Sequence, residues 1–209
     1  RALCDEYGIL FIADEVITGF GRTGKMFGME HYGVVPDMMS FAKGVSSGYA
    51  QLGGVVISEK IHQDYIALSK GTLMHGYTYS GHALACQVGL KNIEIIEREN
   101  LVDNAAEMGE AMLEGFQALQ AKYNFIGNVR TIGLLGAIEL VKNRETGALF
   151  ESLLSPIFVQ ETMKRGLILR TVTYDQDTIV FSPPLILSKA ELNEMLRILD
   201  ETFEYVRKT

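Results

Sequence analysis

The sequence predicts an α/β protein that divides near residue 105. Residues 1–104 form part of a larger α/β domain, and residues 105–209 form a smaller α+β domain. Three observations lead there. Short apolar runs at 9–13, 38–42 and 53–58, the first of which fits a buried parallel strand, have small-residue loops at their ends, as in part of an α/β sheet. Two helical patterns follow at 81–98 and 104–122. Beyond Tyr123 the periodicity changes to short strands around one capped helix and one long amphipathic helix.

In chain order, residues 1–7 read as the last turns of a helix, with Gly8 where a C-cap belongs. A domain rarely opens on the end of a crossover helix, which implies that sequence precedes Arg1. The run 9–13 leads into Asp14-Glu15. Residues 16–36 are irregular and Gly-rich. The run 38–42 leads into Lys43-Gly44, and 53–58 supplies a third strand. Leu84, Val88, Ile95 and Ile96 mark the apolar face of the helix at 81–98. A strand is expected at 134–141. Ser155-Pro156 reads as a cap followed by a first-position proline, and Gly166 closes that helix. Strands are expected at 167–170 and 178–182. Ser188-Lys-Ala-Glu191 is a capping box. It opens a helix with Leu192, Met195, Leu196, Leu199, Phe203 and Val206 along one stripe.

Composition narrows the function. A chain of 209 residues, 47% of them hydrophobic, can bury one large core or two small ones. The formal net charge of −7, without a basic stretch, argues against nucleic acid as a partner. No apolar run is long enough for a membrane span, and no signal peptide is visible. Cys4 and Cys86 are too few for a disulfide scaffold, and a reduced, cytoplasmic setting is the simplest reading.

Two nucleotide motifs fail on context. Gly19-Phe-Gly21-Arg-Thr-Gly24 matches a dinucleotide fingerprint, which needs a helix directly afterwards. Gly28, Gly33 and Pro36 interrupt any such helix, and Asp14 and Glu15 would repel a diphosphate. The same stretch nearly matches a P-loop, but Met26 stands where a magnesium-binding hydroxyl belongs. A Gly-rich turn beside a cofactor is the better reading.

Three residues carry candidate chemistry. Asp14, at a strand end, is by itself a turn or capping residue; alternatively it is a carboxylate that holds a pyridinium N–H and keeps that ring electron-poor. Lys43 is by itself a solvated strand-end lysine. Buried among Gly44, Ser46, Ser47 and Gly48, it would instead be a neutral amine able to form a Schiff base. Thr78, in Gly76-Tyr-Thr-Tyr-Ser-Gly81, is either an N-cap, as Ser80 also could be, or part of an anion site at a helix start.

Taken together the motifs resemble one family. Asp14-Glu15-Val16, Thr18-Gly-Phe-Gly-Arg-Thr-Gly24, Pro36-Asp37 and Ser40-Phe-Ala-Lys43-Gly44 are similar to the signature of class III aminotransferases of the omega-transaminase type. Gly76-Tyr-Thr-Tyr-Ser-Gly-His82 and Ser182-Pro-Pro-Leu185 extend the likeness across essentially the whole chain.

The resemblance implies the type I fold of pyridoxal 5'-phosphate (PLP) enzymes, with part of the large mixed-sheet domain and the small C-terminal α+β domain in this chain. It implies a homodimer with active sites at the subunit interface. Lys43 would carry PLP as a Schiff base and shuttle a proton, Asp14 would pair with the pyridine nitrogen, and Val16 would pack on the ring. Thr78 would bind the cofactor phosphate of the neighbouring subunit, and Arg170 would grip a substrate carboxylate through its planar fork. The implied reaction moves an amine from an omega-amino acid or simple amine to a keto acid, pyruvate foremost. Val180 stands where ornithine-type relatives carry an arginine, which disfavours ornithine and acetylornithine. Gln51 replaces a common proline, which implies a local loop change. The family's phosphate-binding loop and ring-stacking aromatic lie upstream of the aligned region. Two other readings stay open: an aminomutase of the same fold, which would not need pyruvate, and a non-catalytic homologue.

Overall fold

A computed structural model describes residues 1–70, 73–174 and 176–208. The chain divides into two units, Arg1–Val102 and Asp103–Thr209. Among the described residues no helix is long and apolar enough to cross a membrane.

In the first unit, α1 (Ala2–Tyr7) ends at Gly8, whose φ of 64° and ψ of 31° are left-handed, as a C-cap requires. β1 (Ile12–Asp14) and β2 (Met38–Phe41) run parallel, with Ile12 opposite Met38 and Asp14 opposite Ser40. β3 (Gly54–Ile57) pairs antiparallel on the other side of β2. β1 starts later than the apolar run because Phe11 is held by a side chain. Its N–H donates to Asp37 Oδ2 at 2.7 Å, and its carbonyl accepts from the Asp37 N–H at 2.9 Å.

The expectation of strands buried on both faces does not hold within this chain. On β1 only Ala13 is buried. Ile12 is 58% exposed and Val55 on β3 is 61% exposed. A parallel pair needs covering layers on both faces, and here apolar side chains of the sheet remain open.

α2 (Glu59–Ser69) has no counterpart in the predicted elements. It buries no residue, although Ile61, Tyr65 and Leu68 stand at helical spacing. Local bonds define it instead. Ser58 Oγ caps it by accepting the Ile61 N–H, and Lys60 pairs with Asp64 one turn on. α3 (Ala83–Arg98) follows. Its N-cap is His82, whose Nδ1 accepts the Ala85 N–H at 3.3 Å, rather than Thr78 or Ser80. Ser80 closes the preceding turn, its Oγ accepting the Tyr77 N–H at 2.9 Å.

α4 (Leu101–Lys122) leads into the second unit, a four-stranded antiparallel sheet with helices. The strands are β4 (Ile126–Ile132), β5 (Leu135–Leu140), β6 (Arg170–Val172) and β7 (Thr178–Phe181), in spatial order β4-β5-β7-β6. β4 was not predicted: its Gly127, Asn128 and Arg130 mask the apolar alternation. β6 begins where the expected strand at 167–170 ends. Leu167 is occupied in leaving α5 (Ser155–Lys164), its N–H donating to Thr162 O at 2.9 Å behind Gly166 at φ 88°.

Ser155 does not cap α5. Its hydroxyl is buried without a hydrogen-bond partner among the described residues. The cap comes from Asp177, 1% exposed, which accepts the N–H groups of Leu154 at 2.7 Å and Ser155 at 2.9 Å. α6 (Lys189–Val206) opens with the expected capping box: Ser188 Oγ accepts the Glu191 N–H and Glu191 Oε2 accepts the Ser188 N–H.

The core of this unit gathers Met112, Phe116, Tyr123, Phe158, Phe181 and Phe203, all essentially inaccessible. The Phe158 and Phe203 ring centroids lie 4.3 Å apart. Gly109 on α4 meets the β4–β5 turn so closely that a Cβ would stand 2.3 Å from the Gly133 carbonyl oxygen.

Candidate active site

Parallel pairing of β1 and β2 brings two chemical groups to one sheet edge. Asp14 is the last residue of β1 and lies opposite Ser40. Lys43 follows Ser40 by three residues, just past the same end of β2. The carboxyl ends of adjacent parallel strands are where open α/β sheets bind ligands. Asp14 Oδ1 accepts the Ser40 hydroxyl and the Val16 N–H, both at 3.1 Å. Among the described residues no hydrogen bond is made to Oδ2.

Lys43 sits in a short 3-10 turn, Lys43–Val45, with φ of 43°. A non-glycine residue there is strained and needs its surroundings to hold it. Two supports grip the turn. From the Gly-rich loop, Phe20 and Gly19 press on Gly44, where a Cβ would meet Phe20 Cβ at 3.2 Å. From α3, Asn92 Nδ2 donates to the carbonyls of Gly44 at 2.8 Å and Val45 at 3.1 Å. The Lys43 side chain is exposed, contrary to the expected burial, because the turn projects from the strand end with Ser47 and Gly48 also open.

The Gly-rich loop is built on Glu15, which is 2% exposed. Its carboxylate accepts the Gly28 and Met29 N–H groups, each at 2.8 Å, and the Thr18 hydroxyl. This carboxylate thereby ties both ends of the loop, at Thr18 and at Gly28–Met29, to the end of β1. Phe20, at φ 59° and buried, stacks edge-on to Phe27 and Phe41 at 5.4 and 5.9 Å.

The structure thus brings Asp14, Val16 and Lys43 to one edge. Thr78 lies in the exposed turn before α3. Arg170 belongs to the second unit. It is exposed, begins β6 and faces Val180 across β6–β7. Both line a cleft of about 760 Å³ with Phe181, Pro183, Met195 and Ile198.

Sequence reasoning missed Ser40, Glu15 as a loop anchor, and Asn92. Asn92 had a legible signal, because it shares the buried α3 face with Ala85, Gly89 and Ile96, where an amide is out of place unless it has partners.

A sequence profile described as aminotransferase class-III matches residues 1–203. Taurine–pyruvate aminotransferase from Bilophila wadsworthia is 38% identical over 215 residues, spanning 100% of this chain and 47% of that protein. The crystal structure of a transaminase from the marine bacterium Virgibacillus superposes with a TM-score of 0.96 at 48% identity, covering 100% of this chain and 48% of that one. An amine transaminase from an uncultivated Pseudomonas species, solved in its PLP-bound internal aldimine form, gives a TM-score of 0.92 at 37% identity, covering 99% and 47%. This chain belongs to the class III aminotransferase family. Its fold is that of the solved PLP-dependent transaminases, and it spans about half the length of the relatives it matches.

Proposed function

We propose that the protein is a PLP-dependent aminotransferase that moves an amino group from an omega-amino acid or amine to a keto acid, pyruvate foremost, with Lys43 as its cofactor lysine. The observation that carries this reading is the common edge of Asp14 and Lys43 at the ends of parallel strands, inside a class III chain.

The donor set suits the cofactor. Lys43 offers a primary amine for an aldehyde, and Asp14 offers a carboxylate oxygen for a protonated ring nitrogen. Thr78 offers a hydroxyl to the phosphate of a neighbouring subunit's cofactor, and its exposed turn is compatible with that role. Val16 offers an apolar side chain to one ring face. When bound, PLP supplies an electron sink for the carbon that carries the substrate nitrogen.

The chain's own residues do the rest. Lys43 Nζ would hold the cofactor aldehyde and, once a donor amine had replaced it there, would take the proton from the substrate carbon and deliver it to the cofactor carbon. Asp14 would hold the ring nitrogen's proton with one oxygen, while Ser40 and Val16 fix the other. Arg170 pairs with the carboxylate of an acidic substrate. The active form is a homodimer with sites at the subunit interface.

The test is a donor panel (beta-alanine, 4-aminobutyrate, putrescine, taurine, an aryl amine) with pyruvate and the native gene product. Alanine formation dependent on donor and PLP is expected. No transfer from any donor, or donor rearrangement without pyruvate, contradicts the reading.

A further inference from the structure

We propose that Asn92 is a positioning residue for Lys43: through one side-chain amide it holds the strained turn that aims the lysine. The inference rests on the reading of Lys43 as the cofactor-bearing residue, and deepens it.

The part of the turn that carries Lys43 is weakly held by its own bonds. Positive φ occurs at Lys43 (43°), Ser47 (51°) and Gly48 (81°), so three of six consecutive residues are left-handed, two of them with side chains that disfavour it. The bonds of its first part are long: Val45 N to Ala42 O is 3.2 Å, Ser46 N to Lys43 O is 3.3 Å and Ser47 N to Gly44 O is 3.4 Å, and only beyond them do Tyr49 N to Ser46 O at 3.0 Å and Ser46 Oγ to Ala50 O at 2.5 Å tie the chain. The first three lie at or beyond the ordinary range for N–H···O.

The Asn92 bonds, at 2.8 and 3.1 Å, are shorter than any of those three. Both hydrogens of the one amide are used, on two successive carbonyls. A planar group with two fixed donors sets the orientation of both peptide units together. Those peptide units are the second and third after the Lys43 Cα, so the amide holds the far end of the 3-10 turn that Lys43 begins and limits how that turn can reorient. The helix is held close enough to do this. Gly89, one turn before Asn92, has Leu52 Cδ2 2.5 Å from where a Cβ would stand, and Val45 is 3% exposed beneath it. No other side chain among the described residues donates to the Gly44 or Val45 carbonyl. Loss of the amide releases the strain, and the lysine amine swings off its line to the cofactor.

The experiment uses the native gene product loaded with PLP. Asn92→Asp keeps the shape and removes both donors, and Asn92→Ala is read the same way if the carboxylate prevents folding. Asn104→Asp is the matched control. Asn104 also bridges two carbonyls with one amide, those of Leu185 at 2.6 Å and Leu187 at 3.2 Å, but in the second unit.

Four quantities are read: thermal midpoint without cofactor, PLP affinity, the pH midpoint of the visible-edge absorbance band, and kcat against KM. The Asn92 variants are expected to shift the band's pH midpoint, weaken PLP binding about tenfold and lower kcat about tenfold to a hundredfold, with KM for the amine little changed. Asn104→Asp is expected to lower the thermal midpoint while leaving the band where it was. An unshifted band in the Asn92 variants, or an equal shift in the control, overturns the role of Asn92 alone. A visible-edge band that survives in Lys43→Ala overturns both this proposal and the reading beneath it.

Discussion

Two adjacent carboxylates, Asp14 and Glu15, meet opposite environments because successive side chains of an extended segment point to opposite sides. Asp14 faces outward, and Glu15 is buried against the N–H groups of Gly28 and Met29. Their substitutions should therefore separate function from stability. Glu15→Ala strands several donors in a buried place and is expected to cost about 2–4 kcal/mol, read by urea denaturation. Ser40→Ala removes one bond to an exposed carboxylate and is expected to weaken PLP binding about fivefold with little loss of stability, read by cofactor titration. At this scale the sequence singled out Asp14 and Lys43 as candidates, since both stand inside a long signature. It did not disclose what holds them. The Asp14–Ser40 bond spans 26 residues and the Asn92–Gly44 bond 48, separations that no local pattern encodes.

Among the elements, those with a strong period or cap were legible: α6 with its capping box, α3 with its apolar face, the close of α1 at Gly8. α2 and β4 were not, because in α2 the spacing of Ile61, Tyr65 and Leu68 spans only two turns, and β4 carries polar residues along its run. α5 shows why a local cap can mislead. Ser155 looks like the cap, but Asp177 supplies it from 22 residues away. Asp177→Ala is expected to lower stability by about 1–3 kcal/mol, more than Ser155→Ala, in thermal unfolding. The end of α4 is tied to α6 by a charged cluster. Lys122 Nζ lies 2.6 Å from Asp200 Oδ1, and the Tyr123 hydroxyl donates to the same oxygen at 2.8 Å. Burial alone would push the Asp200 carboxyl up, but the Lys122 ammonium and the Tyr123 hydroxyl outweigh it and hold it below the usual carboxylate range. A depressed folded-state value means the stabilisation is complete above the ordinary carboxyl range, near pH 4, and is lost as pH falls through the lowered value. Lys122→Met is therefore expected to flatten the acid limb of a stability–pH curve and leave its shape near neutrality unchanged.

Over the whole molecule the two units differ in how much they bury. The second has a continuous aromatic and aliphatic core from Ala105 to Val206. The first buries Ala13, Phe20, Val45, Ala85 and Ile96 but exposes Ile9, Leu10, Ile12, Val55 and Val56. Residues 103–208 are thus expected to unfold cooperatively when produced alone, whereas residues 1–102 alone should bind a hydrophobic dye and lack a sharp transition. The fold class was legible at this scale because strand runs and helix periods change character after Tyr123. The openness of the first unit's sheet was not, since an apolar run reads the same whether or not anything covers it.

The central claim is that one lysine amine carries the cofactor. The most direct measurement is borohydride reduction of the PLP-loaded native gene product, followed by digestion and mass analysis. The account expects a reduced phosphopyridoxyl adduct on the peptide containing Lys43, and none in Lys43→Ala. An adduct confined to another lysine, such as Lys25 in the Gly-rich loop, would contradict it.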